Sequence, residues 1–349
     1  GGFMAAYILC LVGPRSLDLA EALVMVRSLT ALDDGNRTQL LVLHEPSFRG
    51  LPVLRRAAAA VGRGVTAALV DLGPDPPTPR PRLPPYALGK RVEGGWSYFH
   101  MCNFFFSRVF SHPALAAAKY FMRLDSDSCF HGRIPNVFRL LDERPDVSYI
   151  ANDDNHDCNE LVRGLRALTL DFAKSHNLSL REGVGAKGFP PGANCLRGYY
   201  NNLEVVRLDA FRRSEVFEEW SRVVTASQGI YRHRWGDAIL RRLSLNLMNA
   251  RVLRISQIAP DAQYCHPCFG KRELSYTTHM VNGKKRQDYK VHCGHGRAYE
   301  PISMGVEHFF PSANSESLRP VYSELGFANS SERTCICKKG KSKRSTRLI

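Results

Sequence analysis

Two carboxylates separated by one residue, Asp125 and Asp127, follow a mostly apolar run at residues 120–124. The run has the length and composition of a buried strand, and a sheet opens onto a cleft where such a strand ends. Carboxylates at positions i and i+2 of a turn can converge on Mg²⁺ or Mn²⁺, which keep coordination positions open for diphosphate oxygens. Asp-x-Asp also stabilises plain turns. Alone, the pair therefore indicates either a metal and diphosphate site or a simple turn.

The elements before this pair alternate between strand and helix. Residues 6–12, 40–43 and 65–70 are apolar runs of strand length, and helical patterns fill the intervals. The order β-α-β-α-β predicts a parallel sheet with flanking helices. Residues 71–85 carry seven prolines, which predicts a loop.

The later elements are predicted from helical spacing. Residues 96–112 have a largely helical pattern, and a short strand is expected at 147–150. Phe217, Trp220 and Val224 fall on one helical face, and Asp237 opens a further apolar helix. These apolar positions predict core contacts.

Charge and length point to a globular protein with anionic ligands. The 349 residues are 44% hydrophobic, enough for a large α/β core. The formal net charge is +15, of which the last twelve residues supply six, and the remaining excess suits anionic substrates such as sugar nucleotides. No helix-turn-helix, zinc-finger or RNA-binding motif is recognisable, so no nucleic-acid partner is expected.

Ten cysteines and three glycosylation sequons, starting at Asn36, Asn177 and Asn329, favour an oxidising secretory lumen. We expect disulfides among Cys265, Cys268, Cys293, Cys335 and Cys337; the first three, with His266, His292 and His295, also have the spacing of a zinc site. No apolar run approaches the ~20 residues that span a bilayer, so a membrane anchor would lie upstream of residue 1.

Ordered sequence blocks resemble the fungal Golgi α-1,2-mannosyltransferase family. They include Ser-Tyr-Phe-His-Met-Cys at 97–102, Arg-Leu-Asp-Ser-Asp at 123–127, Tyr-Asn-Asn-Leu-Glu-Val at 200–205, Tyr-Arg-His-Arg-Trp-Gly-Asp-Ala at 231–238 and Tyr-Cys-His-Pro at 264–267. The order of several blocks is more specific than any one of them. Asp125-Ser126 stands where the family usually has Glu-Pro, which preserves an oxygen ligand.

The resemblance implies a donor-binding group and a metal. Asp125 and Asp127 would hold the cation, and Tyr98 and Arg123 would join them in binding the donor. His266 corresponds to the metal-binding histidine of the family; a packed loop residue is its alternative. A nitrogen ligand favours Mn²⁺ over the alternative Mg²⁺.

The resemblance also implies two catalytic carboxylates. Glu204 would act at the β-face of the donor sugar, as a nucleophile or by electrostatic stabilisation. Its alternative is an ion pair with an arginine such as Arg207 or Arg234. Asp237 would face the acceptor, or serve as a helix N-cap.

The resulting hypothesis is a single large GT-A type α/β domain at residues 1–337 with a mixed, mainly parallel sheet. Residues 1–150 would bind nucleotide, residues 151–337 would bind the acceptor, and 338–349 would form a basic tail. The activity implied is metal-dependent retaining transfer of mannose from GDP-mannose to a mannosylated glycan or glycoprotein in an α-1,2 linkage. The site would be the Golgi or another secretory lumen, and the full-length protein a type II membrane protein. The alternatives are another sugar nucleotide, or a secreted module that binds polyanions.

Overall fold

A computed structural model of the chain describes residues 5–13, 16–35, 38–72, 97–131, 133–152, 154–180, 194–260, 263–265, 275–281 and 284–290. Within these residues, seven strands form one sheet in the order β12-β8-β11-β5-β1-β3-β4. These strands are β1 (Ala5–Val12), β3 (Gln39–His44), β4 (Val65–Leu69), β5 (Ala118–Leu124), β8 (Val147–Ala151), β11 (Leu203–Arg207) and β12 (Arg251–Arg254). Strand β11 runs antiparallel to both neighbours, and the other pairings are parallel. The predicted mixed, mainly parallel sheet is therefore confirmed.

Short strands pair outside this sheet. Strand β2 pairs with β7, β6 with β13, β9 with β10, and β14 with β15. Their bounds are β2 Leu32–Asp33, β6 Cys129–His131, β7 Ile134–Pro135, β9 Asp154–Cys158, β10 Cys195–Tyr199, β13 Gln263–Cys265, β14 Ser275–Val281 and β15 Lys284–Lys290.

Helices cover both faces of the sheet. The α-helices are α1 (Ser16–Ser28), α2 (Leu51–Ala60), α3 (Ser97–Phe106), α4 (Val137–Glu143), α5 (Leu165–Ser175), α6 (Leu208–Arg212), α7 (Glu215–Ser227), α8 (Gly229–His233), α9 (Asp237–Leu247) and α10 (Ile255–Ile258). Short 3₁₀ turns occupy Leu29–Ala31, Arg108–Ser111, Pro113–Leu115 and Asn159–Val162. The predicted β-α-β-α-β order of the first seventy residues is confirmed, because β1, α1, β3, α2 and β4 follow it.

The sheet separates two apolar cores. Helices α1, α2 and α4 pack on the face that carries Ile8, Tyr120 and Met122. The opposite face is rich in aromatic side chains from α3, α6 and α7; Phe110 stacks on Phe211 with ring centroids 4.4 Å apart. The predicted buried positions Phe217, Trp220 and Val224 lie on this second face.

One edge of the sheet collects the candidate residues. Parallel strands β1, β5 and β8 end at the same edge, and the antiparallel β11 begins there, which places the turn before β11 beside the residues after β5. The carboxyl ends of parallel strands are where open α/β sheets bind ligands.

Disulfides are present among the described residues. Cys158 is bonded to Cys195 across the antiparallel β9–β10 pair, Cys129 is also in a disulfide, and Cys10 and Cys102 are buried free thiols. Apart from the backbone of Cys265, the cysteines expected to pair fall outside the described residues. Within the described part of the chain, no helix combines the length and apolarity required to cross a bilayer.

Candidate active site

The turn after β5 is built around Asp125. Its backbone N–H donates to the carbonyl of Asn202 at 3.0 Å, and its own carbonyl accepts from the N–H of Ser128 at 3.0 Å. The two carboxylate oxygens are held separately, one by Nε of Arg123 at 3.0 Å and the other by Nδ2 of Asn202 at 2.6 Å. Asp127 is buried in the same turn, at 8% exposure. The turn thus holds both predicted metal ligands, and side chains from β5 and from the turn before β11 fix the orientation of Asp125.

Two phenols share this environment, and together with the carboxylates they form the Asp125 cluster, defined as Asp125, Asp127, Tyr200 and Tyr264. Burial and the charges of Asp125 and Asp127 raise the pKa of Tyr200 to about 12. Burial, with smaller effects from the same carboxylates, also raises the pKa of Tyr264 well above its usual value, and its hydroxyl lies 2.6 Å from Oγ of Ser128. Both phenols thus lie within electrostatic reach of Asp125 and Asp127.

Arg123 joins the turn to Asp237. Its Nη1 donates to Oδ2 of Asp237 at 2.6 Å, and the guanidinium lies 3.6 Å from the centre of the Phe105 ring. The same Asp237 oxygen accepts from Nδ2 of Asn201 at 2.8 Å. Burial alone would lower the pKa of Arg123, but the charges of Asp125, Asp237 and Glu204 raise it above its usual value. Arg123 is therefore a fixed cation between two carboxylates; its side chain is only 3% exposed.

Asp237 is not the helix N-cap that the sequence offered as an alternative. The N-cap of α9 is Gly236, without a capping side chain, and Asp237 is the first residue of the helix. Its carboxylate turns instead toward Arg123 and Asn201. A hydrogen-bonded arginine draws the carboxylate more strongly than the helix N–H groups, since both partners are charged and buried.

Glu204 occupies the middle of β11, opposite Arg123 on β5 and Ala151 on β8. One oxygen accepts from the hydroxyl of Tyr149 at 2.7 Å and from Nε of Arg241 at 3.0 Å. Both charged side chains are fully buried, and Oε1 of Glu204 and Nη1 of Arg241 have no hydrogen-bond partner among the described residues. The catalytic role of Glu204 stays a prediction.

The ion pair expected as the alternative for Glu204 exists, but the suggested partners were wrong. Arg207 faces away and donates to the carbonyl of Val147 at 2.9 Å and to the hydroxyl of Tyr120 at 3.0 Å. Successive strand residues point to opposite faces, so residues 204 and 207 cannot share one. Arg234 has no ion pair with any described residue.

A second group, the Arg234 cluster, is defined as Tyr98, Asp157 and Arg234. The guanidinium of Arg234 lies 4.6 Å from the centre of the Tyr98 ring. Burial raises the pKa of Asp157, while Arg234 and His156 lower it and Asp237 raises it. Asp157 therefore lies within electrostatic reach of both Arg234 and Asp237. Because one face of the Tyr98 ring carries Arg234, the predicted donor contact of Tyr98 stays a prediction.

The candidate metal ligands meet part of the requirements of a divalent cation. In the described part of the chain, no three His, Cys, Asp or Glu side chains come close enough to hold a metal ion. Asp125 and Asp127 supply two hard oxygen ligands, and Mg²⁺ or Mn²⁺ completes its shell with water and phosphate oxygens. His266 lies outside the described residues; the preceding residue, Cys265, is opposite Cys129 in the β13–β6 pair. The carboxylates present fit a cation that also binds a diphosphate.

Sequence reasoning missed Arg241, Asp157 and the pair Asn201 and Asn202 as site residues. A signal for Arg241 was available, because residues 237, 241 and 244 are polar, lie at helical spacing and are all buried in α9. A buried arginine on such a face needs a buried anion. No comparable local pattern marks Asp157.

The chain has relatives of known family. The model of a family described as "Glycolipid 2-alpha-mannosyltransferase" matches residues 91–294. The chain is 30% identical over 165 residues to the probable mannosyltransferase KTR4 of Saccharomyces cerevisiae, covering 43% of this chain and 35% of that protein. It is 22% identical over 223 residues to glycolipid 2-alpha-mannosyltransferase 2 of Candida albicans, covering 61% and 45%. The matches thus span less than half the length of these relatives.

Solved structures share the fold. Core-mannan synthase A (CmsA/Ktr4) from Aspergillus fumigatus, in an Mn/GDP form, superposes with a TM-score of 0.63 at 18% identity, covering 77% of this chain and 76% of that one. The mannosyltransferase Ktr4p from S. cerevisiae gives 0.63 at 22% identity, covering 76% and 71%. The fold is accordingly of the GT-A type. The family model covers more than half of the sequence, and the chain belongs to the glycolipid 2-alpha-mannosyltransferase family, a family of glycosyltransferases.

Proposed function

We propose that this chain transfers mannose from GDP-mannose to a mannose hydroxyl of a glycan, with a divalent metal and with retention at the anomeric carbon, in an α-1,2 linkage. The observation that carries the proposal is the turn after β5, where Asp125 and Asp127 lie together and Asp125 is oriented by Arg123 and Asn202. Such a turn is suited to a diphosphate bound through a cation.

The relatives support the donor and the metal. A structure of Ktr4p from S. cerevisiae was obtained in complex with GDP, and the A. fumigatus protein in an Mn/GDP form. Mn²⁺ is our choice of cofactor here, with Mg²⁺ as the alternative. Membership in a glycosyltransferase family argues against the polyanion-binding module; another sugar nucleotide remains the alternative for the donor.

Each site residue has its own role in the proposed reaction. When bound, the cation supplies positive charge that offsets the negative charge of the departing diphosphate. Asp125 and Asp127 hold the cation, and Arg123, which keeps Asp125 in place, joins them in binding the donor. Asp237 accepts a hydrogen bond from the acceptor hydroxyl. Glu204, buried opposite Arg123 on the neighbouring strand, stabilises positive charge on the sugar electrostatically.

The proposed location is the lumen of the secretory pathway, with an anchor upstream of this sequence. The Cys158–Cys195 disulfide and an exposed sequon at Asn177 suit that compartment. The acceptor would be a mannosylated glycan or glycoprotein.

The test is a panel of GDP-mannose, GDP-fucose, UDP-glucose and UDP-galactose, each with Mn²⁺ or with excess chelator. We expect product only with GDP-mannose and metal, and NMR of the product should show an α-1,2 linkage. A β-linked product would contradict retention. If product forms only with a UDP-sugar, that sugar nucleotide and not GDP-mannose is the donor.

A matched pair of variants tests the metal assignment. Asp127→Asn should lower transfer by ~10²-fold or more while the melting temperature is retained, because a charge that holds the cation is lost. Asp171→Asn, on the exposed surface of α5, is the control and should be fully active. Normal activity of Asp127→Asn in excess chelator would refute the metal site.

A further inference from the structure

The Arg234 cluster has opposite charges that no described residue neutralises by direct contact. The guanidinium of Arg234 stacks on Tyr98 but makes no hydrogen bond or ion pair with a described residue, and its Nε is buried without a partner. The carboxylate of Asp157 has no hydrogen bond with a described residue either. Leaving half-buried polar groups unpaired costs free energy, and a bound ligand can recover it.

The backbone at Arg234 is held in a conformation that arginine disfavours. Its φ and ψ are 63° and 37°, in the left-handed region. Packing enforces this geometry: Trp235 is buried and donates from Nε1 to the carbonyl of Arg163 at 3.0 Å. A side chain on Gly229 would collide with the Trp235 ring, at 2.2 Å. Glycine or asparagine would occupy position 234 with less strain, so the arginine side chain has a use that offsets it.

The Arg234 cluster is coupled to Asp237, which Arg123 joins to the Asp125 cluster. Asp125 and Asp127 affect the pKa of Tyr200 and Tyr264, and neither of them is among the charges that shift Asp157. Asp157 responds to Asp237 and Arg234 instead. If the donor diphosphate binds at the Asp125 cluster, the Arg234 cluster is available to the acceptor, which lies beyond the transferred sugar.

Covalent and packing contacts hold Asp157 and the segment after Arg234. Asp157 lies on β9, beside Cys158, whose disulfide to Cys195 links the antiparallel strands β9 and β10. Its Oδ2 lies against Gly236, where an added Cβ would be only 3.1 Å away. Gly236 immediately precedes Asp237. The spacing between Asp157 and Asp237 is thus set by close packing rather than by a flexible loop.

We propose that Arg234 and Asp157 form the subsite that binds the acceptor saccharide. Guanidinium N–H groups donate to hydroxyl oxygens, and a carboxylate accepts hydroxyl hydrogens, so the pair matches neighbouring hydroxyls of one sugar ring. Asp237, the residue after Gly236, then accepts a hydrogen bond from the hydroxyl that receives the transferred sugar. This inference rests on the proposed function, because it names the acceptor site of that reaction.

The test separates acceptor binding from donor chemistry. Arg234→Asn tolerates the left-handed backbone and removes the guanidinium; Asp157→Asn removes the charge at constant size. Arg232→Gln, at an exposed position two residues away on α8, is the control. Methyl α-mannoside serves as the acceptor. Three quantities are measured: the acceptor KM, the donor KM, and donor hydrolysis without acceptor.

We expect both cluster variants to raise the acceptor KM by ~10-fold or more, as for loss of a charged hydrogen bond. Donor KM and donor hydrolysis should stay within about 2-fold of the unmodified protein. An unchanged acceptor KM in Arg234→Asn overturns the inference. A raised donor KM with an unchanged acceptor KM would place Arg234 at the diphosphate and overturn it equally.

A binding measurement keeps the inference separate from the proposed function. Saturation-transfer NMR with methyl α-mannoside needs no turnover. If the unmodified protein hydrolyses no GDP-mannose, the proposed function fails, but saccharide binding that disappears in Arg234→Asn and persists in Arg232→Gln still supports the subsite. Binding that is absent from the unmodified protein, or equal in all three proteins, refutes it.

Discussion

Removing one partner of the Glu204–Arg241 pair should destabilise the protein strongly. Both side chains are fully buried, and Arg241 also donates from Nη2 to the carbonyl of Phe105 at 2.6 Å. Arg241→Met keeps much of the packing against Phe110 and Phe211, but leaves a buried anion and a carbonyl without their donor. Breaking a buried pair costs about 3–5 kcal/mol. Arg123, opposite Glu204 on β5, compensates part of the charge, so we expect about 4 kcal/mol or slightly less.

The double variant Glu204→Gln/Arg241→Met removes both charges together. Its loss of stability should be smaller than the sum of the two single losses by about 2–3 kcal/mol, the size of coupling seen within buried networks. Urea unfolding followed by tryptophan fluorescence measures all three, since Trp220 and Trp235 are buried in the same core. The control cycle combines Glu204→Gln with Arg207→Met. It should be additive within about 0.5 kcal/mol, because Arg207 bonds on the other face of β11.

Additivity of the Glu204 and Arg241 substitutions would refute the pairing. The same variants also separate structure from catalysis: Glu204→Gln should lower kcat by ~10²-fold or more if the carboxylate stabilises the transition state. If Glu204→Gln loses stability but keeps kcat, the residue is structural, and retention must arise without it.

Three further predictions concern other parts of the molecule. His266→Ala should weaken Mn²⁺ binding by ~10-fold or more without unfolding, as measured by calorimetry with exposed His156→Ala as control; equal binding would remove His266 from the metal site. Replacing Cys158 and Cys195 by serine should cost about 4 kcal/mol, from the chain entropy of closing a loop with a sequence separation of 37, and the native pair should resist alkylation in denaturant without reductant. Burial raises the pKa of Asp157 in the folded state, so the folded protein binds that proton more tightly and stability falls as the pH rises from the ordinary carboxyl value, 3.8, through the raised one. Asp157→Asn should lack this decline in urea midpoints as the pH rises above the ordinary carboxyl value, and a parallel decline in the variant would contradict the shift.

The sequence predicted the strands of the sheet better than the side-chain contacts between the site residues. Apolar periodicity located β1, β3, β4 and β5 because each is buried in a parallel sheet, and the strand end located Asp125 and Asp127. The polar spacing in α9 marked Arg241, but its pairing with Glu204 was missed because the contact depends on how α9 docks against the sheet from a distant part of the chain. Asp237 was a plausible cap by local rules, but a charged partner on another strand overrode them. Local propensity cannot register contacts of this kind.

The charges of the site form an alternating series that explains why a cation belongs at one end of it. Arg241 pairs with Glu204, Glu204 lies opposite Arg123, and Arg123 bonds both Asp125 and Asp237. Two arginines thus face three carboxylates, and Asp127 brings the formal sum to minus two. That formal excess equals the charge of one divalent cation, and burial together with the charges of Asp125 and Asp127 raises the pKa of Tyr200 beside them.

The position of the excess negative charge also predicts which substitutions lower stability and which lower cation affinity. Removing the charge of Arg241 or of Glu204, both fully buried, leaves an unpaired ion in the core and lowers the stability of the protein. Removing the charge of Asp127, in the turn after β5, makes the series more nearly neutral without a cation, so the fold should tolerate it while cation affinity falls. A ranking in which Asp127→Asn destabilised the apoprotein as much as Arg241→Met would contradict this series, and urea midpoints measured in excess chelator decide between the two outcomes.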